Sequence, residues 1–345
     1  MGIQKVDGLL KLICVYMYKA KLPLVSICLP TFNGAKWIRK SVNSALGQTY
    51  ENIEIIVVDD GSTDDTVEQI RSIDDPRIAV HTNGRNVGLI SNWNKCLKLA
   101  RGEFIKFLFQ DDILYPDCVE RMMSLFFKYD GIGLVFSARD ILVDRDLDDK
   151  TAQRWLEYCE VLHTHFDSLS EFNSGRSLFL QLMRSDFYGN WIGEPSSVLV
   201  RKECFERLGE FNARLFQIGD LEMWLRIIYF YNVGFIEDRL NAFRIHDKSK
   251  TVSNTRNHDG LFDQFWLFEE LLRHKEIRDD CPEIVAMRDR ELDRQKILMI
   301  RPFLAWRRLT NRNGIKQAIE DLKRLPSRAR FFLLDYPAYK LRGYL

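Results

Sequence analysis

Cysteine is scarce in this 345-residue chain and follows no recognisable pattern. The seven cysteines include no C-x-x-C pair, and their odd number excludes complete pairing, so the sequence predicts neither a disulfide framework nor a zinc site. A reducing cytosol is the simplest compartment for such a chain. We therefore expect a cytoplasmic protein.

Apolar runs long enough to span a membrane are also absent. Residues 9–18 form an apolar run that Lys11 interrupts, and this run is about half the length of the roughly twenty residues that a span needs. No small-x-small cleavage site follows it, which disfavours a signal peptide. We expect residues 1–22 to form an N-terminal helical extension, with contact to a membrane surface as the alternative to packing on the rest of the chain.

A glycine-rich nucleotide loop is missing as well. No G-x-G-x-x-G follows the first apolar strand, so a dinucleotide-binding oxidoreductase is disfavoured. The same loop lacks the Gly-rich, Arg- and Lys-bearing sequence usual in nucleotidyltransferases and carries only Lys36 a little later. A nucleotidyltransferase remains an alternative, because those enzymes also combine carboxylates with Mg²⁺ on a doubly wound sheet.

The net charge of +1 conceals an uneven distribution of charge. Residues 296–345 carry twelve Lys and Arg against three Asp and Glu, a net charge of +9, so the preceding residues sum to −8. Aromatic residues accompany these cations, among them Trp306, Phe331, Phe332, Tyr336 and Tyr339, and the mixture suits an anionic membrane surface. A solvated helical face explains the segment equally well. We predict a helical, basic C-terminal region over residues 253–345.

Short apolar runs alternate with amphipathic segments between residues 24 and 138, which is typical of a mostly parallel sheet covered by helices. The predicted strands are Leu24–Leu29, Ile53–Asp59, Ile78–Thr82, Phe104–Phe109, Gly133–Ser137, Ser197–Arg201 and Gly234–Ile236. The predicted helices are Ala35–Leu46, Thr63–Ile73, Ile90–Leu99, Pro116–Lys128 and Asp220–Tyr231. Residues 140–189 have no clear period, and we expect long loops and helices there.

Polar clusters follow three of the predicted strands. They are residues 30–34, residues 59–62 and Gln110-Asp111-Asp112. Ligands bind outside the carboxyl ends of the strands in an open parallel sheet, so we expect the three clusters to converge on one crevice. Either Asp59 or Asp60 could cap the following helix, or one of them could accept hydrogen bonds from a nucleoside base or ribose.

Asp111 and Asp112 are held at the end of a stiff apolar strand. Two carboxylates about 4 Å apart repel by about 4 kcal/mol at an effective dielectric near 20, and a diphosphate would add to this repulsion. Mg²⁺ or Mn²⁺ would resolve it by binding carboxylates and substrate phosphates together. The alternative is a surface turn that leads into the next helix.

Asp220 and Glu222 lie in the predicted first turn of a helix. They could merely stabilise the helix dipole, or one of them could take a proton from an attacking hydroxyl as general base. Downstream, residues 244–249 include His246 and could place a cation or an imidazole against a diphosphate.

These elements together resemble the family 2 glycosyltransferases over about residues 22–252. The resemblance rests on Leu29-Pro30-Thr31-Phe32-Asn33, Val57-Val58-Asp59-Asp60-Gly61-Ser62-Thr63-Asp64, Asn86-Val87-Gly88, Gln110-Asp111-Asp112, Gly219-Asp220 and Arg244-Ile245-His246. It implies a Rossmann-like α/β domain of the GT-A type at residues 23–252. It also implies a nucleoside-diphosphate-sugar donor and inversion by a single in-line displacement.

The resemblance also implies roles for individual residues. Those expected to bind the donor are Pro30, Thr31, Asn33, Asp60, Asn86, Asp111 and His246, with Asp60 at the base and Asp111 at the ribose or donor sugar. Asp112, together with Asp111, would bind Mn²⁺ or Mg²⁺. Asp220 matches the general base of the family, and Glu222 is the neighbouring candidate.

Two positions depart from the pattern of the family. The usual Asp-x-Asp reads Gln110-Asp111-Asp112, and Gly219 stands where an acid often precedes the catalytic Asp. The sequence also lacks the Gln-x-x-Arg-Trp signature of processive synthases, which favours single-sugar transfer. We expect a UDP- or dTDP-linked donor and a glycan or lipid-linked acceptor in cell-surface glycan or polysaccharide biosynthesis, at the cytoplasmic face of the membrane and without nucleic acid. A non-catalytic sugar-nucleotide-binding relative is the other alternative.

Overall fold

The computed structural model describes residues 22–160, 162–250 and 262–295. The chain divides into two compact units, of which one ends at Asp263 and the other begins at Gln264. The predicted N-terminal extension, apart from its last residue, and the basic segment 296–345 lie outside the described residues. No helix in the described ranges is both long and apolar enough to cross a membrane.

One mixed sheet of eight strands organises the described part of the first unit. The strands are β1 (Val25–Thr31), β2 (Ile53–Asp59), β3 (Ile78–Thr82), β4 (Phe104–Phe107), β5 (Ile113–Leu114), β6 (Ile132–Val143), β7 (Val198–Arg201) and β8 (Asn232–Ile245). Their order in the sheet is β3-β2-β1-β4-β7-β6-β8-β5. The first four strands pair in parallel, as do β6 and β8, whereas β7 is antiparallel to both of its neighbours.

Helices flank this sheet, and the predicted α/β architecture is confirmed. They are α1 (Ile38–Leu46), α2 (Thr66–Arg71), α3 (Leu89–Leu99), α4 (Cys118–Lys128), α5 (Asp149–Glu160), α6 (Gly175–Arg184), α7 (Lys202–Leu208) and α8 (Gly219–Phe230). Two short 3₁₀ turns occupy Leu162–His165 and Pro195–Ser197. After α9 (Asp263–Leu271), the second unit contains α10 (Lys275–Asp280) and a further helix over residues 283–295.

The core beneath β1 and β2 explains why these segments form central strands. Both strands are buried along their whole length, and strands covered on both faces read as near-continuous apolar runs. α1 buries Ile38, Val42 and Ala45, which lie on one helical face, against this part of the sheet. Each buried aliphatic side chain contributes roughly 1.5–3 kcal/mol, so this packing fixes where the carboxyl ends of the strands lie.

β6 and β8 are much longer than the sequence predicted. The expected strands Gly133–Ser137 and Gly234–Ile236 continue as a parallel pair as far as Val143 and Ile245. Polar residues interrupt the apolar pattern of the outer halves, although backbone hydrogen bonds continue across register shifts near Ser137. The extension carries the chain after Ile245 to the carboxyl end of β4.

Candidate functional site

A cavity of about 270 Å³ opens at the carboxyl ends of β1, β2 and β4, where the strand order predicts a ligand site. The end of β8 and the start of α8 complete its wall. The structure brings most of the predicted site residues to this cavity: Pro30, Thr31, Asp60, Asn86, Asp111, Asp220 and His246. Three predicted residues do not line it, namely Asn33, Asp112 and Glu222.

The two acids after β2 have different roles. Asp59 caps the following turn, since its Oδ2 accepts hydrogen bonds from the Ser62 and Gly61 backbone N–H groups at 2.9 and 3.1 Å. Asp60 faces the cavity, and its carboxylate accepts the Val87 and Gly88 N–H groups at 2.8 and 3.0 Å. Asp60 therefore shapes the loop before α3 and presents a carboxylate edge to a ligand.

Asn33, which was predicted beside the nucleotide, does not line the cavity and braces a loop next to it. Its Oδ1 accepts the Thr63 N–H at 2.9 Å, and its own N–H donates to Ser62 Oγ at 2.8 Å. Its φ of 50° is a left-handed conformation that Asn tolerates better than most residues. The side chain thus ties the loop after β1 to the loop after β2.

Gln110 links the ends of β4 and β1. Its Oε1 accepts from Thr31 Oγ1 at 2.6 Å and from Phe32 N at 2.8 Å, while its Nε2 donates to the Phe32 carbonyl at 3.2 Å. A carboxylate at this position could not donate to that carbonyl. The departure from Asp-x-Asp therefore has a structural reason.

Asp111 and His246 form a carboxylate and imidazole pair on the cavity wall. His246 Nε2 lies 2.8 Å from Asp111 Oδ2, and the His246 ring packs against Trp37 with the ring centroids 4.1 Å apart. The buried Nδ1 of His246 has no hydrogen-bond partner among the residues that the structure describes. Oxygen and imidazole ligands of this kind suit Mn²⁺, and the carboxylate also suits Mg²⁺.

Asp112, which was predicted to bind the metal, does not line the cavity: its side chain is fully buried and both its oxygens are engaged. Oδ2 accepts from Ser196 Oγ at 2.5 Å, and Oδ1 accepts from Arg244 N at 2.8 Å. Burial, followed by the charge of Asp111, raises the pKa of Asp112 well above its usual value. Asp112 therefore joins the ends of β4 and β8, and of the two adjacent acids only Asp111 lines the cavity.

Within the described ranges, no group of three or more His, Cys, Asp or Glu residues is arranged to hold a metal ion. The chain thus offers a pair of ligands, Asp111 and His246. Mg²⁺ in phosphate-transfer sites usually binds one or two carboxylates together with substrate phosphates, so a pair fits an ion that arrives with a diphosphate.

Asp220 lies in the first turn of α8 and faces the same cavity. Its Oδ1 accepts the Leu221 N–H at 2.8 Å, and its Oδ2 accepts from Asn190 Nδ2 at 3.0 Å. Burial, with a smaller contribution from the charge of Glu194, raises the pKa of Asp220 to about 7. A carboxyl group with a pKa near the working pH suits general-base catalysis.

Glu222, the neighbouring candidate for the base, does not line the cavity. Its side chain is fully buried and pairs in a bidentate manner with Arg226, at 2.6 and 2.9 Å. Arg226 also donates to the backbone carbonyls of Leu208 at 2.5 Å and Glu210 at 2.9 Å. Glu222 and Arg226 therefore fasten the loop after α7 to α8.

Several cavity residues were not predicted from the sequence. Glu194 and Pro195 lie between residues 140–189, which have no clear period, and the predicted strand Ser197–Arg201, and no sequence signal indicated them. Arg244 and Lys248, in contrast, belong to the segment that was expected to place a cation against a diphosphate, and they line the cavity together with Lys250. Arg244 Nε also donates to the Asp111 carbonyl at 2.9 Å.

Comparison with known proteins agrees with this arrangement. A family model described as glycosyl transferase family 2 matches residues 26–209. An uncharacterised protein of Mycobacterium tuberculosis is 32% identical over 260 residues, which cover 74% of this chain and 79% of that protein. An uncharacterised glycosyltransferase of Rickettsia felis is 30% identical over 273 residues, which cover 77% of this chain. The matched region is 42% of the Rickettsia felis protein, so the chain spans less than half of that relative.

Solved structures of similar fold include two with bound sugar nucleotides. S. aureus TarS 1-349 in complex with UDP-GlcNAc matches with a TM-score of 0.52 and 16% identity, over 72% of this chain and 66% of that chain. The mannosyltransferase PcManGT from Pyrobaculum calidifontis, in complex with GDP-Man and Mn²⁺, matches with a TM-score of 0.52 and 16% identity, over 94% of this chain and 88% of that chain. The predicted GT-A fold is confirmed.

Proposed function

Because the chain belongs to glycosyl transferase family 2, we propose that it transfers a single sugar from a nucleoside-diphosphate donor to an acceptor hydroxyl, with inversion at the anomeric carbon. The observation that carries this proposal is the content of the cavity. The pair Asp111 and His246 and the carboxylate of Asp220 line the same space. An inverting transfer needs a site that binds the diphosphate of the donor and a general base that takes the proton of the acceptor hydroxyl.

The donor site extends from the end of β1 to the loop before α3. Pro30, Thr31, Asp60 and Asn86 line this end, which we assign to the nucleotide. The complexes of similar folds with UDP-GlcNAc and GDP-Man support a nucleoside-diphosphate sugar. We keep a UDP- or dTDP-linked sugar as the proposed donor.

Asp111 and His246 would hold Mn²⁺ or Mg²⁺ at the diphosphate end of the cavity. The bound ion would stabilise the charge that develops on the leaving nucleoside diphosphate. Arg244, Lys248 and Lys250 supply further positive charge to the same anion. The Mn²⁺ complex of PcManGT supports a divalent ion in this fold.

Asp220 acts on the acceptor in the proposed reaction. The carboxylate takes the proton of the acceptor hydroxyl as its oxygen forms a bond to the anomeric carbon. The bond between that carbon and the diphosphate oxygen breaks on the opposite face, which inverts the configuration. Asn190 holds Asp220 Oδ2 at 3.0 Å and fixes the direction of the other lone pairs.

The acceptor in this proposal is a glycan or a lipid-linked sugar used in cell-surface glycan or polysaccharide biosynthesis. The enzyme would work in the cytoplasm, at the inner face of the membrane. The excess of twelve Lys and Arg over three Asp and Glu in residues 296–345 supports attraction to anionic lipids. The family match argues against the nucleotidyltransferase alternative, and the relative named as a glycosyltransferase argues against a non-catalytic protein.

A two-stage experiment tests the proposal. The first stage measures thermal unfolding with UDP, GDP, dTDP or CMP, each with Mn²⁺, Mg²⁺ or EDTA, because a ligand that binds the folded state raises the melting temperature. The second stage measures release of the nucleoside diphosphate from the matching sugar nucleotides. A metal-dependent shift followed by turnover supports the proposal, whereas the absence of any shift would exclude the donor site.

A further inference from the structure

The segment from Asn190 to Ser196 joins the two chemical ends of the cavity. Asn190 Nδ2 donates to Asp220 Oδ2 at 3.0 Å, and Ser196 Oγ donates to Asp112 Oδ2 at 2.5 Å. Asp112 directly follows Asp111, one of the residues assigned to the metal. The donor sugar must lie between the site of its diphosphate and Asp220, the proposed general base. The segment from Asn190 to Ser196 therefore runs along the position of the sugar.

The segment is held rigidly on both sides of Glu194. Asn190 and Gly193 exchange hydrogen bonds of 2.9 and 3.1 Å, and Trp224 Nε1 donates to the Gly193 carbonyl at 3.0 Å. On the other side, the buried ammonium group of Lys106 donates to the Ser196 carbonyl at 2.6 Å. Groups fixed in this way recognise a ligand at a small cost in conformational entropy.

Glu194 places a carboxylate on the cavity wall at the middle of this segment. Arg139 pairs with it through Nη2 at 2.9 Å and Nε at 2.5 Å, and the Arg139 side chain is 1% exposed while that of Glu194 is 19% exposed. A buried ion pair usually contributes little net stability. A carboxylate has about four lone-pair positions, so the two contacts to Arg139 leave Glu194 able to accept further hydrogen bonds.

We propose that Glu194 accepts hydrogen bonds from hydroxyl groups of the donor sugar and thereby selects which hexose the enzyme transfers. This inference rests on the proposed glycosyl transfer and assigns a sugar-reading residue to the same cavity. A sugar hydroxyl that meets the carboxylate forms a charge-assisted hydrogen bond. An epimer that directs this hydroxyl elsewhere leaves a desolvated carboxylate without its partner, and such sites discriminate strongly.

Calorimetry with Mn²⁺ measures this role without requiring an acceptor. The dissociation constants of UDP, UDP-glucose, UDP-galactose, UDP-GlcNAc, GDP and GDP-mannose are compared for the wild-type protein, Glu194→Gln and Glu194→Asp. We expect nucleoside-diphosphate affinity to change less than about twofold, and affinity for the preferred sugar nucleotide to fall about tenfold to a hundredfold in Glu194→Gln. Discrimination between the epimers should shrink at the same time.

Two controls separate the possible outcomes. Glu171→Gln removes a surface carboxylate that pairs with the exposed Lys128, and it should leave every dissociation constant unchanged. Glu194→Asp keeps the charge beside Arg139 with a shorter reach, so it tests the same contact if Glu194→Gln does not fold. Wild-type protein that binds none of the nucleoside diphosphates would refute the donor site itself. Normal binding of these diphosphates with unchanged sugar discrimination in both Glu194 variants would overturn the role of Glu194 alone.

Discussion

His246 Nε2 lies 2.8 Å from Asp111 Oδ2, although 135 positions separate the two residues in the chain. The contact exists because β8 continues alongside β6 to Ile245 and so reaches the carboxyl end of β4. Asp112 secures the same junction, since its Oδ1 accepts the N–H of Arg244. The geometry of the candidate metal pair therefore depends on the full length of the parallel pairing between β6 and β8.

Asp111→Asn and His246→Ala should each abolish the Mn²⁺-dependent part of nucleoside-diphosphate binding. In the wild-type protein, a ligand at one hundred times its dissociation constant adds about 2.7 kcal/mol to the free energy of unfolding. Thermal unfolding with and without EDTA measures this increment. Asp117→Asn is a matched control, because Asp117 is half exposed near the start of α4 and pairs with Arg121. If nucleoside-diphosphate binding kept its Mn²⁺ dependence in both variants, Asp111 and His246 would not be the ligands of the ion.

Asp112→Asn should destabilise the fold and leave the metal response of the folded protein intact. One Asn oxygen cannot replace two carboxylate oxygens that accept from Ser196 Oγ and Arg244 N, so a buried donor loses its partner at a cost of about 1–3 kcal/mol. Urea unfolding measures this cost. A stable variant that no longer responds to Mn²⁺ would instead make Asp112 a metal ligand.

The rate of transfer should rise with pH and reach half of its plateau near pH 7. Asp220 has a pKa of about 7, and it accepts a proton only in its ionised form, so the active fraction grows as pH increases through this value. The measurement is kcat/KM against pH for the sugar nucleotide that the binding experiments identify. A rise of kcat/KM with its midpoint below pH 5 would contradict a raised pKa for Asp220.

Asp220→Asn should abolish transfer, preserve nucleoside-diphosphate binding and change the pH dependence of stability. The pKa of Asp220 is about 7 in the folded state and near 3.8 in the unfolded chain. Between these values the folded state keeps a proton that the unfolded state loses, so the free energy of unfolding falls as pH rises from about 4 to 7. The variant lacks this contribution. Chemical denaturation at several pH values measures the free energy of unfolding of both proteins. If this free energy changed with pH in the same way in the wild-type protein and in Asp220→Asn, the assignment would be incorrect.

Glu222→Gln should lower stability strongly, because it leaves the buried guanidinium of Arg226 without its carboxylate partner. Breaking a buried pair in this way costs about 3–5 kcal/mol. Glu203→Gln breaks a pair with Arg207 at the same helical spacing, but both side chains are more than half exposed, so the expected loss of stability is much smaller. Denaturant unfolding compares the two variants. Loss of transfer by a Glu222→Gln protein of normal stability would restore Glu222 as a catalytic candidate.

The sequence predicted the first half of the sheet well because its strands β1 and β2 are buried along their whole length and read as apolar runs. β2 and β3 lie at the predicted residues, and β1 extends two residues beyond its predicted end. The outer halves of β6 and β8 were missed because their pairing depends on backbone hydrogen bonds, while polar side chains such as Asp140 and Glu237 break the apolar pattern. Hydrophobic periodicity reports burial and does not report strand length.

The acids of the site could be found from the sequence, but their directions could not. Asp111 and Asp112 are adjacent residues of the same type, yet the side chain of Asp111 lines the cavity and that of Asp112 is fully buried. Which way each side chain points is set by Ser196 and Arg244, which lie far along the chain and could not be placed from local patterns. The direction of Glu222 could not be predicted for a similar reason, since its partner Arg226 could not be recognised as buried.

The position of β6 in the sheet affects how the chain folds while it is being synthesised. β6 lies between β7 and β8, and both neighbours follow it in the chain. A nascent chain that has emerged only to residue 197 therefore exposes two unpaired edges of a strand rich in Leu, Val and Phe. Such an edge can pair with other chains, so production at low temperature or with chaperones should improve the soluble yield. Because Asp111 meets His246 only after β8 has been added, this part of the cavity wall forms only after residue 246 has been synthesised.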